Sequence, residues 1–123
     1  MATSKSDKNT NQWIGGALVF SGRPDPTWSV PDLVVSKLES YWAHLQPWVG
    51  SLPVTPGLGY RGSFLRDASG TEWHGYGGVL TLRTSKGIQS RQDPARQFEK
   101  LVLATAPAGL LPEEVKRASQ GKK

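Results

Sequence analysis

The sequence predicts one α+β domain: a mainly antiparallel sheet of three or four strands with two main helices on one face. Three observations carry that expectation. Val30, Val34, Leu38, Tyr41, Leu45 and Trp48 recur at steps of three and four, the spacing of an amphipathic helix packed on a sheet. Two extended runs, 60–66 and 71–83, flank the turn sequence Asp67-Ala68-Ser69-Gly70, which is a hairpin signal. The run Ala17-Leu18-Val19-Phe20 is apolar on both faces, as in a buried strand. The resulting order, strand, helix, strand, strand, helix, collects helices on one side of an antiparallel sheet.

Taken along the chain, residues 1–11 are polar and read as a disordered tail. The first strand is expected over 13–21, where Gly15 and Gly16 mark a bulge or a close backbone approach. Ser21-Gly22-Arg23-Pro24-Asp25-Pro26-Thr27-Trp28 follows as a rigid loop, because Pro24 and Pro26 fix φ and force their predecessors towards extended geometry. The first helix then opens with Ser29 as N-cap, Pro31 in the first turn and Asp32 closing a capping box. Trp28 and Leu33 stand at hydrophobic-staple spacing. Pro47 ends this helix near Gln46.

A connector rich in proline and glycine, 48–59, leads to the hairpin. In its second limb Trp73 stands on odd parity and Leu80 and Leu82 on even. Gly75-Tyr76-Gly77-Gly78 therefore holds either a bulge that resets the alternation or a break between two shorter strands. Residues 84–92 are polar, contain Gly87 and read as a loop. Asp93-Pro94 starts the second helix, Phe98, Leu101, Val102 and Thr105 form its buried face, and Pro107 ends it. The expected organisation is thus a tail over 1–11, a domain over 12–112, and a short helical turn with a basic tail over 113–123.

Composition excludes several classes of function. The chain has no cysteine, so disulfides, thiolate nucleophiles and Cys-based metal sites are impossible. No run approaches the roughly 18 apolar residues of a membrane span. The first dozen residues lack the apolar core of a secretory signal, and the expected location is intracellular and cytoplasmic. The net charge of +5 suggests nucleic acid only at first sight. Lys5 and Lys8 against Asp7, and Lys116, Arg117, Lys122 and Lys123 against Glu113 and Glu114, place most of it in the tails. The remainder is ordinary for a folded domain.

Acid–base catalysis needs titratable groups held together. His44 and His74 stand on different elements, and no nucleophile-elbow spacing is present. Gly57-Leu58-Gly59-Tyr60-Arg61-Gly62 has G-x-G-x-x-G spacing but precedes a strand instead of opening a helix, the wrong context for a phosphate cradle. No cofactor and no metal site is expected. Arg23 and Asp25, held between prolines, project charge from stiff backbone, which lowers the entropy cost of recognition. The same residues also read as a helix entrance, with Arg23 paired to a carboxylate such as Glu72. Trp13, Trp73, Tyr60 and Tyr76 could form an aromatic platform beside Arg61, Arg66 and Arg83, of the kind that stacks on bases or sugars. They could equally face the helices, which need an apolar partner.

The segments Ser21–Trp28 and Gly57–Gly62 resemble a family of small α+β proteins. In these an S-G-R-P-[DN]-P-x-W turn leads from a strand into a helix and a G-L-G-Y-x-G turn follows. That resemblance implies one shared task for the two loops and attaches no activity to them.

The sequence therefore points to a non-enzymatic binding or protein-interaction module. Arg23, Asp25, Trp28, Tyr60, Arg61 and Trp73 are its contact residues, and a protein or small ligand is its partner. Three alternatives stay open: single-stranded nucleic acid bound through the hairpin and basic tail, carbohydrate bound through Trp13 and Trp73, and an enzyme acting through Asp25, Glu72 or His74.

Overall fold

The computed structural model describes residues 12–19, 24–54, 60–112 and 115. Its strands are β1 (Trp13–Ala17), β2 (Thr27–Val30), β3 (Ser63–Asp67), β4 (Glu72–Tyr76), β5 (Val79–Thr84) and β6 (Gly87–Gln92). The helices are α1 (Asp32–Ala43), between β2 and β3, and α2 (Gln97–Ala104), after β6. All six strands join one antiparallel sheet in the order β2-β1-β3-β4-β5-β6. The expectation of three or four strands is corrected to six.

Each additional strand has a local cause. Thr27-Trp28-Ser29-Val30, read as a loop and helix cap, pairs with β1 through Gly15↔Trp28 and Trp13↔Val30. The flanking prolines that suggested a loop instead limit this edge strand to four residues. Gly77 and Gly78, at φ 63° and 88°, make the two-residue turn that reverses the chain between β4 and β5. Two successive residues with positive φ are what such a tight hairpin requires. The turn also answers the parity question, since Trp73 pairs with Leu82 on one face. The polar stretch 87–92 is a strand because it needs only a ladder to β5, not a buried face.

Trp13, Gly15, Ala17, Trp28, Val30, Leu65, Trp73, Gly75, Leu80 and Leu82 fall on one face by register, and both helices lie there. Trp28, Val30, Val35, Leu38, Leu65, Trp73, Leu80, Phe98 and Val102 form the buried core. A Cβ on Gly75 would stand 2.5 Å from the Phe98 ring, so glycine is what lets α2 seat so close. Trp73 stacks on Phe98 and meets Trp42 edge-on, with ring centroids 6.3 Å and 5.4 Å apart. The Arg91 guanidinium covers Trp42 at 4.2 Å and donates to its carbonyl.

The helix boundaries also shift. Thr27–Val30 is tied into the sheet, so α1 starts at Asp32 with Pro31 as an N-cap that makes no side-chain bond. The expected capping box and staple are not formed: Leu33 is 69% exposed while Trp28 is buried. Asp93 does cap α2, accepting from the backbone N–H of Gln97 and Phe98 at 3.0 Å and 3.1 Å. Arg96 adopts φ 55°, which delays the helix to Gln97 instead of Pro94. Leu111 and Val115 are buried in the core, and Val115 donates its N–H to the Pro112 carbonyl. The proposed tails, 1–11 and most of 113–123, lie outside the described residues.

After α1 the chain runs along the outer edge of β6, where Trp48 N–H donates to the Ser90 carbonyl and Gln92 N–H to that of Gln46. It then crosses to the helix-free face, where Leu52 and Pro53 come to lie against β4 and β5.

Candidate functional site

The helix-free face carries Ile14 and Gly16 of β1, Phe64 and Arg66 of β3, and His74 and Tyr76 of β4. Val79 and Thr81 of β5 and Ser90 and Gln92 of β6 lie on it too. Its β1–β3 half is closed: Phe64 is buried over Gly16, with Arg66 stacked on its ring at 4.8 Å. The β4–β5 half is roofed by the 50–54 segment, leaving a cavity of about 230 Å³ lined by Leu52, Pro53, His74, Tyr76, Val79 and Thr81.

His74 is held in place from the β3 side. Its Nε2 lies 3.1 Å from the Arg61 carbonyl, an acceptor, so Nε2 carries the proton. Gly62, at φ 116°, makes room for the ring: a Cβ there would stand 2.5 Å from Nε2 and 2.7 Å from the Gly75 carbonyl. Conformation and space both demand glycine at this position. On the far wall Thr81 Oγ1 and Ser90 Oγ are hydrogen-bonded at 2.9 Å.

Next to His74 the two loops singled out in the sequence meet. Leu18 N–H donates to the Gly62 carbonyl and Arg61 N–H to that of Leu18, which extends the β1–β3 pairing past the end of the strands. Asp25 accepts from Val19 N–H at 2.8 Å and stands 3.9 Å from the Arg61 guanidinium. Arg23 and residues 55–59, which hold half of the glycine-rich turn, lie outside the described residues.

Tyr60 turns the other way. Its hydroxyl donates to Glu99 Oε1 at 2.6 Å, and Glu99, 1% exposed, also receives the Arg96 guanidinium at 3.3 Å. Burial, then the neighbouring Glu99 charge, hold the Tyr60 phenol well above its ordinary range. Tyr41, whose hydroxyl donates to Asp93, is shifted in the same direction by burial and by that carboxylate. A phenol locked in its neutral form against a buried carboxylate cements α2 to the sheet and is a poor proton carrier.

Two of the expected contact residues belong to the core. Trp28 is buried and donates Nε1–H to Thr105 Oγ1 at 2.7 Å. Trp73 is buried between Trp42 and Phe98. Trp13 also faces the helices while Tyr76 lies on the opposite side, so of the expected aromatic platform only Tyr60 and Tyr76 meet, with ring centroids 6.1 Å apart. The arginines expected beside it are engaged: Arg83 pairs with Glu72, Arg61 stands near Asp25, and Arg66 covers Phe64. Glu72 is therefore Arg83's partner. His44, exposed after α1 and bonded to the Ser40 carbonyl, is separated from His74 by the whole sheet. Among the described residues no three metal-ligating side chains converge, and no helix is long and apolar enough to cross a membrane.

Leu52, Pro53, Val79 and Thr81 were not singled out by sequence. Val79 and Thr81 become legible once Gly77-Gly78 is read as a turn, since alternation then puts them on the face of His74. Nothing in the sequence signals that Leu52 and Pro53 fold over them. Comparison with family models, with curated proteins and with solved structures finds no match to this chain.

Proposed function

We propose that the chain is a non-enzymatic binding module whose contact surface is the helix-free sheet face, from the Asp25–Arg61 pair to the cavity beneath Leu52 and Pro53. The cavity carries this reading. It is concave and mainly apolar with a few converging polar groups, the usual make-up of a ligand site. The exposed apolar side chains of Leu52 and Val54 on the covering segment, and of Val49 just before it, are consistent with a surface that a partner buries.

The reading is tested by recording amide and side-chain NMR spectra of the whole chain during titration with a chemically diverse fragment library. Shifts should gather on His74, Tyr76, Val79 and Thr81 and leave α1 and α2 unmoved. Thr81→Phe, which fills the cavity from a strand position, should abolish them while the protein stays folded. Shifts confined to the helix side, or none at all, would remove this reading.

A further inference from the structure

We infer that the cavity is built for a small neutral aromatic ring bearing one N–H or O–H donor, of the phenol or indole class. This rests on the binding reading above and assigns the chemistry of its ligand. Four observations select that class.

The volume, about 230 Å³, falls below the roughly 300–1,000 Å³ of sites for drug-sized molecules, so one or two rings are the limit. Leu52, Pro53, Val79 and the Tyr76 ring supply apolar and flat walls, which reward a ring and penalise a sugar or a phosphate. Among the described residues no cationic side chain lines the cavity, so none of them compensates the desolvation of an anion.

The fourth observation sets the donor. Because the Arg61 carbonyl takes the proton on His74 Nε2, the neutral imidazole presents Nδ1 as a lone-pair acceptor. No hydrogen bond occupies that nitrogen among the described residues. Gly62 and the Arg61 carbonyl fix the tautomer and the position of the ring before any ligand arrives. A bound hydroxyl or ring N–H that donates to Nδ1 satisfies an acceptor the protein leaves open. A purely hydrocarbon ring leaves that acceptor without a partner. The ring can arrive as a free small molecule or as a tyrosine or tryptophan side chain.

The test compares p-cresol with p-xylene, which replaces the hydroxyl by a methyl group of similar size, and with 4-methylbenzoate, followed by NMR on the intact chain. p-Cresol should bind about tenfold more tightly than p-xylene, the scale of one hydrogen bond. 4-Methylbenzoate should not bind. His74→Phe should erase the preference for p-cresol over p-xylene while leaving the fold intact. N-acetyltyrosinamide run in parallel separates the sources: binding with p-cresol-like shifts assigns a side chain, and its exclusion assigns a free molecule. Equal or tighter binding of p-xylene, or capture of the carboxylate, overturns the assignment of a donor ring while the binding reading stands. Fragments of other classes binding on the face in place of any ring do the same. A face that no fragment perturbs overturns both.

Discussion

The two faces of the sheet use similar residue types to opposite ends. On the helix side Trp28, Trp73, Phe98 and Leu80 pack closely, and the buried carboxylates Asp93 and Glu99 are met by donors, while Trp73 Nε1 is buried with no hydrogen-bond partner among the described residues. On the other side Tyr76, Val79 and Leu52 surround a space, and a histidine nitrogen there has no partner among the described residues. The difference separates the face that carries the fold from the face that the proposed binding reading assigns to a ligand. The sharpest way to break this division is to disturb each side in turn.

The largest effect is expected on the filled face. Glu99→Ala leaves the Tyr60 hydroxyl and the Arg96 guanidinium without their shared acceptor and opens a space under α2. Urea unfolding should show a loss of about 3 kcal/mol, the cost of breaking a buried charged pair from one side. A loss below about 1 kcal/mol would mean that solvent reaches Glu99 and that the filled face is not closed. A smaller effect should follow from alkali. Tyr41 and Tyr60 are held neutral in the folded chain above the ordinary phenol range. The stability they contribute is complete below pH about 10 and falls as pH rises beyond it, because the unfolded phenols ionise first. The melting temperature should drop through pH 10 to 11, and Tyr60→Phe should flatten that drop. A melting curve indifferent to pH in this range would contradict the environment assigned to both hydroxyls. The smallest effect is expected at the loops: Arg61→Ala removes a long, part-exposed ion pair and should change stability by less than about 1 kcal/mol. A larger loss would show that the Asp25–Arg61 contact helps build the fold and is not simply part of the contact surface.

Much of the scaffold could be read from residue patterns, and the failures share one cause. The stripe from Val34 to Trp42 placed α1 because a buried helix face needs no knowledge of its partner. Asp67 to Gly70 placed the β3–β4 turn because the chemistry is local: Asp67 Oδ1 accepts from the N–H of Ser69 and Thr71. Thr27–Val30 and Gly87–Gln92 look like loops in the sequence because an edge strand is defined by its neighbour's backbone, and its own side chains can be short, polar or bracketed by proline. The site followed the same rule. Local stiffness singles out Asp25 and the glycine-rich turn brings in Arg61, and the structure sets the two side by side. Trp28, read as a staple and loop contact, and Trp73, read as part of an aromatic platform, are both absorbed by packing. The roof of the cavity was invisible because its position depends on the path of residues 45–54 around β6, a tertiary event.

That path also bears on how the chain folds. The Gln46–Gln92 and Trp48–Ser90 hydrogen bonds join segments more than forty residues apart, whereas the β4–β5 and β5–β6 hairpins close over two-residue turns. Loop-closure entropy makes the hairpins early events and the edge contacts late ones. The chain segment that roofs the cavity thus docks only after α1, β4 and β6 are in register. Hydrogen exchange at Trp48 and Gln92 should accordingly report the last cooperative step of folding, and a half-folded chain would hold no cavity to offer.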